Sequence, residues 1–158
     1  MQTQKLKLGL LLDSFDVPAW VYSVIQHVAN ENSGEFAVVI LNEDAGKSDA
    51  TKSNTGIYSI FNRIDEKLFT KKPDPFAPKS VAELLTDVSV IRLLPAQVNH
   101  IWTLEEADIE TIRKYRLDIL INFGFENLQF ETLNASKYGT WSYYHGDDRI
   151  MRGGPPGF

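Results

Sequence analysis

LKLGLLLDSFDVPAWVYSVIQHVANEN, from Leu6 to Asn32, is the stretch that decides the fold. Leu6 to Ser14 is apolar almost without a break, and a run of that length reads as a strand buried on both faces. From Asp16 the periodicity changes. Val21, Val24, Ile25 and Val28 fall at i, i+3, i+4 and i+7, the spacing of one helix face. Pro18 suits the first helical turn, and Asp16 reads as the N-cap. A doubly buried strand running straight into an amphipathic helix is the first half of a βαβ unit.

The same alternation recurs down the chain. Phe36–Asn42 (FAVVILN), Val88–Leu94 (VSVIRLL) and Leu117–Phe125 (LDILINFGF) read as further apolar strands, with shorter candidates in VNHIWTL and TWSYY. Helical stripes lie between them. One carries Ile57, Ile60, Phe61, Ile64 and Leu68. A second, Thr103–Arg116, holds a capping box of Thr103 with Glu106. A third, Gln129–Tyr138, has Gly139 as its C′ glycine. Glu43–Gly56 reads as a loop, and Thr70–Lys79, with three prolines, as an irregular exposed segment. Strands apolar on both faces, separated by helices, predict an α/β protein: an open, doubly wound, mainly parallel sheet with helices on both faces. Such sheets bind ligands outside the carboxyl ends of their strands. Asp13-Ser14, Asn42, Phe123-Gly124-Phe125 and Tyr144-His145-Gly146 are therefore expected along one rim.

Size and charge narrow the function. The 158 residues fit a single domain. A net charge of -5, with no basic cluster longer than Lys71-Lys72, argues against a nucleic-acid partner held through its phosphates. The absence of cysteine excludes disulfides and thiolate–zinc sites. Leu8–Leu12 is too short for a secretory core and is followed by Asp13 and Asp16. No stretch approaches the ~20 apolar residues of a membrane span. The expectation is a soluble, cytoplasmic protein with no membrane partner.

The first strand–helix turn lacks G-x-G-x-x-G, and G-x-x-x-x-G-K-[ST] occurs nowhere, which disfavours dinucleotide and P-loop sites. Asp13 reads as a cap for the next helix rather than a ligand contact. His27 reads as a surface residue and His100 as a satisfied, partly buried one. His145 differs, because it follows a strand end and leads into glycines. A metal site from His145, Asp147 and Asp148 lacks a second histidine cluster, so no metal is expected. Proton transfer by a histidine beside a carboxylate suits these residues better. Composition alone makes RGGPPG (Arg152–Gly157) a disordered terminus. At a strand end it would instead be a stiff loop offering backbone amides and an arginine to an anion or a carbonyl oxygen.

The last forty-odd residues, LDILINFGFENLQFETLNASKYGTWSYYHGDDRIMRGGPPGF, resemble the folate-dependent formyltransferase family. This is the group that includes methionyl-tRNA formyltransferase and glycinamide ribonucleotide formyltransferase. They are most similar to a divergent branch carrying W-S-x-H-H-G-D followed by R-G-G-P-x-G-F, whose start LGLLLDSFDVPAWVY also resembles. The resemblance implies a Rossmann-like N-terminal formyltransferase domain over residues 1–158. It implies transfer of a formyl group from 10-formyltetrahydrofolate to a small-molecule amine, by analogy an amino sugar, without a metal. The family works with an Asn-x-His pair and a later aspartate. Gapless alignment on RGGPP puts Ser142 at the asparagine position and Tyr144 at the histidine position, with His145 beside it. The implied catalytic residues are thus His145, Ser142 and Tyr144. Arg152, Gly153 and Gly154 would shape the acceptor loop, and Phe123, Gly124 and Phe125 the pocket floor. No carboxylate follows Asp148, and relatives continue past the equivalent of Phe158, so a truncated domain is expected. The alternative is a catalytically inactive binding module on the same fold.

Overall fold

The computed structural model describes residues 5–31, 34–43, 73–98, 101–125, 128 and 130–143. The apolar runs form a five-stranded parallel sheet built from β1 (Leu6–Leu12), β3 (Gly34–Asn42), β5 (Ser89–Leu93), β8 (Ile119–Asn122) and β9 (Thr140–Ser142). Their order is β5-β3-β1-β8-β9, with every neighbouring pair parallel. The chain winds outward from β1 through β3 to β5, then returns to the other side of β1 for β8 and β9. This is the open, doubly wound α/β sheet of the Rossmann type.

Alternation along the strands explains why they are apolar throughout. Leu10, Leu12, Val39 and Leu41 pack on one face with Val21 and Ile25 of helix α1 (Ala19–Asn30). Leu11, Val38 and Ile40 pack on the other with Ile109 and Ile112 of helix α2 (Glu106–Arg113). Leu10, Leu11, Val38, Val39 and Ile40 are wholly inaccessible to solvent. A polar residue at any of these positions would have no face on which to meet water.

The start of α1 departs from the sequence expectation. Asp16 is not its N-cap. Residues Asp16–Pro18 form a short strand, β2, antiparallel to β4 (Pro78–Ser80), with Pro18 opposite Pro78. Ser14 fixes this path, donating its hydroxyl to the Asp16 carbonyl at 2.7 Å and accepting the Asp16 N–H at 3.1 Å. The backbone before a proline is driven into extended geometry, so the helix begins only after Pro18. The first-turn N–H of Trp20 is then satisfied by the Pro75 carbonyl at 2.9 Å instead of by a side chain. Part of the proline-rich segment, expected to be irregular, is thus a strand and a helix cap. His27 is exposed, as expected of a surface residue.

Other ends move too. Thr103 lies in strand β7 (Ile101–Thr103), which pairs with β6 (Ala96–Val98), and it does not cap α2. The cap position is Glu105, with no side-chain cap bond. The third helix, α3, is only Phe130–Leu133. Gly139 does take positive φ, +80°, but it closes the turn from Ser136, which donates its hydroxyl to the Gly139 carbonyl at 2.7 Å. The stripe Ile57–Leu68 lies outside the described residues.

Thr132 of α3 is completely buried, and its hydroxyl has no hydrogen-bond partner among the described residues. Burying such a group unpaired costs roughly 1–3 kcal/mol, while an apolar group of the same shape avoids that cost. Thr132→Val should therefore leave the urea midpoint unchanged or raise it, by up to about 1 kcal/mol of stability. A loss of more than that would show that the hydroxyl is hydrogen-bonded after all.

Candidate functional site

All five parallel strands end on one rim, at Leu93, Asn42, Leu12, Asn122 and Ser142. Asp13 follows β1 there, six residues before α1, and it does not cap that helix. Its carboxylate accepts a hydrogen bond from the Asn42 side-chain amide at 3.3 Å, tying the tips of β1 and β3 together. In a doubly wound sheet the crevice for ligands opens where the winding reverses, here between β1 and β8. At that crevice the turn after β8 packs closely against the end of β1. A side chain at Gly124 would lie 2.4 Å from the Asp13 nitrogen and 2.8 Å from the Leu12 carbonyl carbon, so the turn after β8 rests directly on backbone. The Phe123 N–H continues the pairing, reaching the Leu11 carbonyl at 3.0 Å.

Asn122 builds that turn. Its Oδ1 accepts the N–H groups of Gly124 at 3.3 Å and Phe125 at 2.8 Å. Its Nδ2 donates to the Phe125 carbonyl and, across the strands, to the Ser142 hydroxyl oxygen at 3.1 Å. Asn122 and Ser142 are register partners in the β8–β9 pair. The amide, 8% exposed, uses both donors and both acceptor sites, which is its full capacity.

An opening lies one strand further out, beside β8 and β9 on the α1 face. It is a cleft of about 600 Å³ walled by the aromatic rings of Trp20, Phe76, Phe123, Trp141 and Tyr143, with Val24, Pro75, Ile121 and Ser142 between them. Trp20 is its hinge. Its ring meets Phe123 edge-on at 5.6 Å between centroids (76°) and Tyr143 at 5.4 Å in a tilted contact (47°). Phe76, Trp141 and Tyr143 are 57%, 58% and 65% exposed, so these cleft residues are largely accessible. Among the described residues, none that lines the cleft is charged. The shortest ion pair among the described residues lies elsewhere, on α2. There the Arg113 guanidinium is pushed above its ordinary range by its hydrogen bond to Glu110 and by Glu106. No described group of histidine, aspartate or glutamate side chains could hold a metal. No described helix is long and apolar enough to cross a membrane.

The site residues expected from sequence fall into three groups. Phe123 and Ser142 come together at the cleft. Phe125 does not line it: it is 2% exposed, in the core on the opposite face of the sheet. Gly124 separates the two as the contact with Asp13. Tyr144, His145, Arg152, Gly153 and Gly154 lie outside the described residues, as do His100, Asp147 and Asp148. Asn122 and the cleft aromatics Trp20, Phe76 and Trp141 escaped sequence reading. Trp20 carried one signal, standing off the buried stripe of Val21 and Ile25 on its own helix. No protein-family model matches this chain, and no curated protein sequence matches it.

Gly124→Ala should cost about 1–3 kcal/mol, the usual penalty for overpacking, because its methyl would meet backbone that cannot rotate away. Denaturant unfolding measures this, and an unchanged midpoint would show that the turn after β8 can lift off Asp13.

Proposed function

We propose that this chain is a formyltransferase-like protein that moves a formyl group from 10-formyltetrahydrofolate to a small-molecule amine. The observation that carries this reading is the position of Ser142. The residue that the terminal motif aligns with the family's asparagine ends β9 on the carboxyl rim and borders an aromatic cleft. Flat fused rings gain most from offset or edge-on contact with such walls, and a neutral lining favours a ring over a charged group.

In this reaction the amine nitrogen attacks the formyl carbon, and the carbonyl oxygen becomes an oxyanion. The bond to the folate nitrogen then breaks, that nitrogen takes up a proton, and a formamide and tetrahydrofolate remain. Ser142 would donate to the oxyanion, and His145 would carry the proton from the attacking amine towards the leaving nitrogen. Tyr144 would be a second donor. Arg152, Gly153 and Gly154 would border the acceptor.

Trp20 and Trp141 both line the cleft, so tryptophan fluorescence reports on it. Titration with 5-formyltetrahydrofolate should quench that emission. Incubation with 10-formyltetrahydrofolate and a panel of amino sugars should yield a formamide detectable by mass spectrometry. His145→Ala should then slow turnover by about 10²–10⁴-fold. Quenching without product would favour the inactive binding module. Binding of a nucleotide and not of the folate would overturn the proposal.

A further inference from the structure

We infer that Asn122 is a positioning residue that turns Ser142 into a preset hydrogen-bond donor for a carbonyl oxygen or oxyanion. The orientation of the Asn122 amide is not free. Its oxygen end is fixed by two backbone N–H groups, those of Gly124 and Phe125, which only an acceptor can satisfy. The nitrogen end must therefore face Ser142, and the Ser142 oxygen must accept at 3.1 Å.

A serine hydroxyl has one proton to give and two lone pairs with which to accept. Accepting from Asn122 directs the proton away from the amide. The hydroxyl is then set as a donor toward a second group, and Ser142 is an exposed residue at the edge of the cleft. The group that suits it is an acceptor oxygen: an acyl carbonyl, or the oxyanion formed when that carbonyl is attacked. One lone pair is already committed to Asn122, so the hydroxyl proton is the strongest contact left for a ligand oxygen. A donor that is itself hydrogen-bonded is also polarised, which strengthens what it offers.

The cost of orienting this hydroxyl is met in folding, because the same amide closes the turn that seats Gly124 on Asp13. An amide on β8 acting through a hydroxyl on β9 can thus replace one amide at the rim. The identity of the acceptor as a formyl oxygen rests on the proposed function; the amide–hydroxyl geometry does not.

The absence of cysteine makes a test possible without any substrate. Ser142→Cys introduces a single thiol, whose alkylation by iodoacetamide as a function of pH gives its pKa. With Asn122 donating to the sulfur, that pKa should fall below the ordinary ~8.5, and Asn122→Ala in the same background should raise it by about one unit. Equal values in both backgrounds would overturn the inference. Should the double variant fail to fold, the side-chain amide protons of Asn122 in the otherwise native chain decide the matter by NMR. In Ser142→Ala one of the two should shift upfield while its partner, bound to Phe125, stays. If neither moves, the bond does not exist.

In a formyl-transfer assay, Ser142→Ala should lower kcat about 10²-fold, the lower end for loss of one oxyanion donor, and adding Asn122→Ala should lower it little further. A multiplicative loss in the double variant would show that Asn122 does not act through Ser142. A chain with no formyl transfer but with an Asn122-dependent thiol would sink the proposed reaction and leave the positioning intact.

Discussion

Everything in this fold hangs on β1 being paired on both edges and buried on both faces. Its register to β3 on one side and β8 on the other runs over Leu8 to Leu11. At the end of the strand, Leu10 and Leu12 enter the α1 core and Leu11, between them, the α2 core. A strand held in this way has no freedom to slip, since a one-residue shift would exchange its two faces and break both ladders. The rim inherits that rigidity. Leu12 and Asp13 cannot move, so the Gly124 turn has a fixed seat and Asn122 a fixed orientation.

At the switch point between β1 and β8 the Gly124 turn sits on backbone, and a cleft opens further out, by β8 and β9. On the α1 face, Leu10, Leu12, Val39 and Leu41 are covered by the helix, while Trp141 of β9 is left largely open. The open end of the sheet and the proline segment that carries Phe76 leave a gap that Trp20 bridges, touching Phe123 and Tyr143. Among the described residues, the α1 face of the strand ends offers rings and no charge. The Asn122–Ser142 pair offers a directed hydroxyl at the edge of that surface.

The strands and the α/β class were legible because burial on both faces leaves a mark in composition: Leu10-Leu11-Leu12 and Val38-Val39-Ile40 admit no polar residue. Helix starts were less so, for a physical reason. Asp16 and Thr103 are residue types that cap helices when nothing else does, but a backbone carbonyl from Pro75 reached α1 first. Pairing of Asp16–Pro18 with Pro78–Ser80 joins segments far apart in sequence, and prolines at both ends hide the strand character. The cleft was invisible because its walls come from α1, the proline segment, β8 and β9. Each aromatic taken alone is ordinary. Asn122 was hidden differently, as the polar end of an apolar run, where it reads as the strand simply stopping.

That last residue shows why a polar side chain ending a buried strand merits full hydrogen-bond accounting. A buried amide with two donors and an oxygen able to accept twice is tolerated only when all are matched. At Asn122 three of the four bonds go to the backbone of its own turn, and these would suffice to explain an asparagine structurally. The fourth goes to the neighbouring strand, to a residue exposed at the rim. That bond completes the pairing of a buried amide, and it ties the turn after β8 to β9. It also restricts the Ser142 hydroxyl, whose proton must point away from the Asn122 amide. A group that must stabilise charge as it develops gains from having its freedom restricted beforehand.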